Sequence, residues 1–82
     1  MARFFHLTIA RVGENLFDGE AVSATLPGSE GVFTLLAHHE PLVSELRRGE
    51  VRVLASSGQK FHFEVAKGGL VEVSHNQATV LL

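Results

Sequence analysis

Apolar residues in this chain recur at every second position, in runs too short for helices, and each run is cut by a turn signal. Phe5, Leu7 and Ile9 alternate with His6, Thr8 and Ala10, the period of a strand with one buried face. That strand is expected to end near Gly13. After Leu16-Phe17, Asp18-Gly19 reads as a turn, and a second strand sets Val22, Ala24 and Leu26 against Ala21, Ser23 and Thr25 until Pro27-Gly28 interrupts it. Gly28-Ser29-Glu30-Gly31 reads as a tight turn in which both glycines can take positive φ. Val32 to Leu36 follows as a strand. From Ala37 to Glu45 the alternation lapses and Pro41 lacks an amide hydrogen, so an irregular crossing is expected there.

Arg48-Gly49 opens the next strand, with Val51, Val53 and Ala55 on one side, and Ser56-Ser57-Gly58 closes it as a hairpin turn. Phe61, Phe63 and Val65 return. Lys67-Gly68-Gly69 breaks the chain, Leu70 to Val73 forms a short strand, and His75-Asn76 turns into Ala78, Val80 and Leu82. About seven or eight strands spaced by turns at roughly 8–12 residues mark an all-β fold, here a small β-sandwich of two mostly antiparallel sheets. With 82 residues the chain has room for one hydrophobic core, so residues 1–82 are expected to form a single domain.

A chain this short buries only about 60–65% of the surface its unfolded form exposes, so the apolar packing has to be efficient. Hydrophobic residues make up 45% and charged residues 20%, and six Phe supply large buried areas with no polar tip to satisfy. Such a composition folds rather than staying disordered. The absence of cysteine excludes disulfides, thiolate metal sites and a cysteine nucleophile. A net charge of −2, with no basic run longer than Arg47-Arg48, lacks the electrostatic footprint of a nucleic-acid binder. No apolar stretch approaches the roughly 20 residues that span a bilayer as a helix. Met1-Ala2-Arg3-Phe4-Phe5 leads straight into alternating sequence, without the apolar region of a secretory signal, and reads as mature sequence.

His38-His39-Glu40 places two imidazoles and a carboxylate side by side, a ligand set found in metal sites. Consecutive residues of an extended segment point in alternating directions, so at most two of the three can meet. A polar loop before Pro41 accounts for them. The competing readings are a stand-alone module binding a metal or small ligand through His38, His39 and Glu40, or a metal-dependent enzyme built on the same trio. His6, His62 and His75 fall on polar faces or in a turn and read as solvated imidazoles, and Glu64 and Glu72 lie on water-facing sides of their strands. The glycines at 28, 31, 68 and 69 open no helix and so make no phosphate cradle. No catalytic residue, cofactor site or metal site is assigned.

Five segments in order carry a resemblance: Leu16-Phe17-Asp18-Gly19-Glu20, Pro27-Gly28-Ser29-Glu30-Gly31, His39 with Pro41-Leu42, Arg48-Gly49-Glu50-Val51-Arg52, and Gly68-Gly69-Leu70-Val71-Glu72-Val73. Together they make residues 16–82 similar to the N-terminal β-sandwich domain of the epsilon subunit of rotary F-type ATP synthases. The resemblance implies a non-catalytic rotor part that couples the gamma subunit to the membrane c ring of a proton- or sodium-translocating complex. It implies membrane contact only through that complex, on the cytoplasmic face of a bacterial inner membrane or the equivalent organelle side. It assigns Gly28, Ser29, Glu30, Gly31 and Val32 to the c ring, and His39, Pro41 and Leu42 to gamma. Where the family usually has Gly and then Pro-Gly before the matching histidine, this chain has Thr34 and Ala37-His38, and Glu40 replaces a small apolar residue, so a reshaped loop is expected. Family members continue into two C-terminal helices that inhibit hydrolysis and in some bind ATP, and those roles are assigned to no residue here.

Overall fold

A computed structural model describes residues 3–82. Met1 and Ala2, on which the reading of the N-terminus partly rests, lie outside the described residues. The described residues form eight strands: β1 (Phe5–Arg11), β2 (Glu14–Gly28), β3 (Gly31–Leu36), β4 (Leu42–Leu46), β5 (Gly49–Ala55), β6 (Lys60–Val65), β7 (Gly69–Ser74) and β8 (Gln77–Leu81). The expected all-β sandwich is present. All pairings are antiparallel except β1 with β8.

The long strand β2 belongs to both layers. Its first half, from Glu14 to Ala21, pairs with β1, which continues through β8 and β7 to β4. Its second half lies between β3 on one side and β5 on the other, with β6 beyond β5. The switch falls at Val22. Ala21 faces Ala55 and Ser23 faces Leu54, leaving Val22 as an extra residue in the register, and such a bulge bends a strand and lets it cross from one sheet to the other.

One side chain in two from most strands enters a shared core of Phe5, Leu7, Ile9, Ala21, Ala24, Leu26, Leu35, Leu46, Val51, Val53, Val65, Val71, Val73, Ala78 and Val80. Fully burying a Val, Leu or Ile contributes about 1.5–3 kcal/mol, so this cluster is the main source of stability. No polar or charged side chain is buried among the described residues, so the core carries no desolvation penalty that a partner would have to offset. Phe17 of β2 meets Phe61 of β6 edge-on at 5.2 Å, and Phe61 stacks with Phe63 at 6.4 Å. This aromatic group packs against the core where the first half of β2 approaches β6.

Three expectations are corrected. Asp18-Gly19 is not a turn but the middle of β2, facing Thr8 and Leu7. The Asp18 carboxylate that would have favoured a local turn instead accepts from His6 Nε2 at 2.6 Å, so cross-strand pairing has overridden local preference. The turn lies at Val12-Gly13, where Gly13 takes φ 76°. Second, the bulge reverses the alternation of the second strand, burying Ala21 with Ala24 and Leu26 and leaving Val22 half-buried. Third, residues 42–45 of the expected crossing, together with Leu46, form β4, paired with Val73 to Gly69 of β7.

Candidate functional site

The two segments singled out in the sequence lie at either end of β3. Gly28 faces Gly31 across a two-residue tip, Ser29-Glu30. Gly31 takes φ 136°, a value that favours glycine. Gly28 serves differently from the expectation that it supplies positive φ. It is buried, and a Cβ there would lie 2.8 Å from both the Gly31 carbonyl oxygen and the Phe33 ring. Its lack of a side chain lets the hairpin close. The tip is then tied to the next connection, since Ser29 N donates to Glu45 O at 2.9 Å and Arg47 N donates to Pro27 O at 2.9 Å. Ser29 and Glu30 are exposed, and Val32 is 68% exposed on the outer face. Arg47 and Arg48 stand beside them, lining a groove with Pro27 and Val32.

The second surface is the loop from Ala37 to Pro41, at the far end of β3. Six residues of strand put it about 20 Å from the tip at the usual rise of a strand. The turn survives without Pro-Gly. His39 N donates to Leu36 O at 3.2 Å, closing a four-residue turn whose third position, His38, takes φ 64°. A left-handed third position is what a type II turn asks of glycine. His38 therefore carries strain in the αL region that a glycine would not. Replacing His38 by glycine should raise stability by roughly 0.5–1 kcal/mol, the αL relief exceeding the entropy glycine adds to the unfolded chain; thermal or urea melting checks it.

What holds that turn is Asn76, a residue whose sequence context gave only a hairpin signal. His75 and Asn76 both take positive φ, 52° and 59°, as a tight two-residue hairpin requires. The Asn76 side chain then accepts from His38 N at 2.7 Å and donates to Phe4 O at 2.9 Å, while the Asn76 main-chain carbonyl accepts from His6 N at 3.2 Å. One side chain thus ties the β3–β4 loop, the β7–β8 turn and the entry to β1. Beyond the turn, His39 is half-buried with Nδ1 2.8 Å from its neighbour's carbonyl, Glu40 O. Pro41 is exposed, and Leu42 packs against the core.

The trio His38, His39 and Glu40 does not converge. No group of three His, Asp or Glu side chains among the described residues is placed to hold a metal ion. The ring of His39 lies against the backbone through Nδ1 and Glu40 O, and His38 occupies the left-handed position of the turn. Elsewhere, Glu50 on β5 receives Arg52 Nε at 2.9 Å and sits 2.9 Å from His62 Nδ1 on β6. The hydrogen bond from Arg52 holds the Glu50 carboxyl below its ordinary value, and the charge of Arg52 and the imidazole of His62 add to the effect. A carboxyl lowered in the folded state contributes stability above its unfolded pKa and loses it as pH falls through the lowered value. The group is open to solvent, so the contribution is small. Replacing Arg52 by glutamine should lower the melting temperature slightly at neutral pH and leave no difference in strong acid, as melts across that range would show.

Comparison with known proteins bears on the family and the fold. Residues 4–82 match the family described as ATP synthase, Delta/Epsilon chain, beta-sandwich domain. The chain belongs to that family. Among epsilon chains, that of Chlorobium limicola is 36% identical over 77 residues, covering 94% of this chain and 86% of its own length. That of Protochlamydia amoebophila is 34% identical over 77 residues, covering 94% of this chain and 52% of its own. This chain spans about half the length of most epsilon chains it matches. A chain of the Euglena gracilis mitochondrial ATP synthase, solved with OSCP, F1 and c-ring, superposes with a TM-score of 0.88 at 25% identity, covering 99% of this chain and 51% of that one. A chain of the Tetrahymena thermophila central stalk and c-ring shares the fold, with a TM-score of 0.74. The β-sandwich described above is thus that of an ATP synthase epsilon chain, and its described residues contain no helix long and apolar enough to cross a membrane.

Proposed function

We propose that this epsilon-type sandwich is a non-catalytic coupling part of the central stalk, seated between the gamma subunit and the membrane c ring. Ser29, Glu30, Gly31 and Val32, closed over Gly28, meet the polar loops of the c ring, and His39, Pro41 and Leu42 meet gamma. The observation that carries this reading is the placement of the two surfaces at opposite ends of β3, as a part wedged between two bodies needs. Each end is braced by cross-links to a neighbouring connection, the tip by Ser29–Glu45 and Arg47–Pro27, the loop by Asn76. A closely packed apolar interior resists deformation, which suits a part that passes torque without making or breaking bonds. In this reading the domain contacts the membrane only through the complex, on the cytoplasmic face of a bacterial inner membrane or its organelle counterpart.

Co-expression with the gamma subunit of the same source provides the test. A stable complex that is lost on Leu42→Asp, in protein that still melts cooperatively, supports the reading. Failure of the unmodified chain to bind gamma would overturn it.

A further inference from the structure

Strands that lack a neighbour on one side present a row of unpaired N–H and C=O groups, and proteins normally blunt such edges with charge, proline or a bulge. Here β3 and β6 each pair on one side only, and β4 meets β2 through the single pair Gly28 with Leu46. Two of these edges are blunted. Along β6 stand Lys60, His62 and Glu64, all exposed, and β4 is preceded by Pro41 and carries exposed Glu45. The third is bare. β3 reads Gly31-Val32-Phe33-Thr34-Leu35-Leu36, without charge or proline, and its register with β2 runs through six pairs without a bulge. Its outward side chains include Val32 at 68% and Leu36 at 56% exposure.

We infer that the free edge of β3 takes up an extended strand from the partner subunit, so that the β3–β2–β5–β6 layer continues across the interface. The inference rests on the proposed docking of gamma, because β3 runs directly into the loop carrying His39, Pro41 and Leu42. Backbone hydrogen-bonding groups in a row select an extended segment over a helix, which has no free backbone groups to offer along its length. Thr34 and exposed Leu36, at the end of β3 nearest the loop, select uncharged side chains at alternate positions of that segment, leaving Val32 to the c ring. A bare edge also explains why a partner is needed at this place: left open, it templates pairing with any available strand.

Residue-resolved amide exchange on the chain alone and on its complex with gamma decides the matter. Strand addition slows exchange by about tenfold or more at alternate β3 residues, those whose amides turn away from β2, while the amides already bonded to β2 change little. Thr34→Lys, an outward-facing charge on that edge, should weaken gamma binding about tenfold without lowering the melting temperature of the free chain by more than a few degrees. If gamma binds and the outward β3 amides still exchange freely, strand addition is wrong and the docking reading stands. If gamma does not bind at all, the docking reading itself fails. If the free chain already protects those amides and runs as a dimer, the edge is filled by a second copy and the inference is overturned.

Discussion

Gly28→Val should unfold the tip and cost the molecule about 2–4 kcal/mol, the range of a forced backbone shift in a packed site. Position 28 has no room for a β-carbon, since the carbonyl oxygen of Gly31 and the ring of Phe33 each lie 2.8 Å from where it would stand. Phe33 can rotate, but the Gly31 oxygen belongs to the strand opposite and can yield only by opening the hairpin. In a small domain each kcal/mol lowers the melting temperature by about 4–8 °C, so calorimetry should register a drop of about 8 °C or more. The variant should also lose c-ring assembly at temperatures where it remains folded, because the same hairpin presents Ser29 and Glu30. Gly31→Ala makes the comparison informative. A β-carbon there would meet nothing within 4 Å, but φ 136° is unfavourable for alanine, so its cost comes from backbone strain alone.

Leu7→Ala should be more damaging to the whole molecule than any surface change. Leu7 is fully buried in β1, facing Gly19 of β2 on one side and Ala78 of β8 on the other. Its two neighbours across the sheet are among the smallest residues available and cannot fill the space it leaves. Removal of a buried leucine to alanine costs about 3–5 kcal/mol when the surroundings cannot collapse, against a total stability of about 5–15 kcal/mol for a typical domain. Urea unfolding should show the midpoint shift with the slope unchanged.

Much of the fold was legible because an alternating strand states its own inner face. Phe5-Leu7-Ile9, Val51-Val53-Ala55 and Ala78-Val80 point inward as their periods require. The failures have local causes. Asp18-Gly19 carries a strong turn preference, yet the imidazole of His6 and the hydroxyl of Thr8 on β1 engage the carboxylate, an interaction that only the register reveals. β4 escaped notice because it inverts the usual rule, with Ser44 on the less exposed side, its hydroxyl bonded to Glu45 O, and Val43 outside at 66% exposure.

The candidate site was less legible than the fold. Family resemblance pointed to the tip and the loop, and alternation set them at the two ends of the strand Val32 to Leu36, but nothing local showed how each end is braced. The role of Asn76 depends on three segments far apart in sequence, so no local pattern could have carried it. His38-His39-Glu40 looked like ligands because of their chemistry, whereas backbone geometry spends His38 on a turn and directs His39 toward a carbonyl. Where Pro-Gly is missing, the chain still makes a turn, and it puts His38 in the left-handed region.

The account depends on opposite poles of the sandwich touching different subunits, and the lack of cysteine in this chain makes that measurable. Single cysteines introduced by Glu30→Cys at the tip, Leu42→Cys after the loop and Lys60→Cys on the β6 edge can each carry a short photo-reactive cross-linker in the assembled complex. The tip should capture the c ring, position 42 should capture gamma, and position 60 should capture neither. Capture of one and the same subunit from both poles, or cross-linking at position 60 as strong as at the other two, would contradict it.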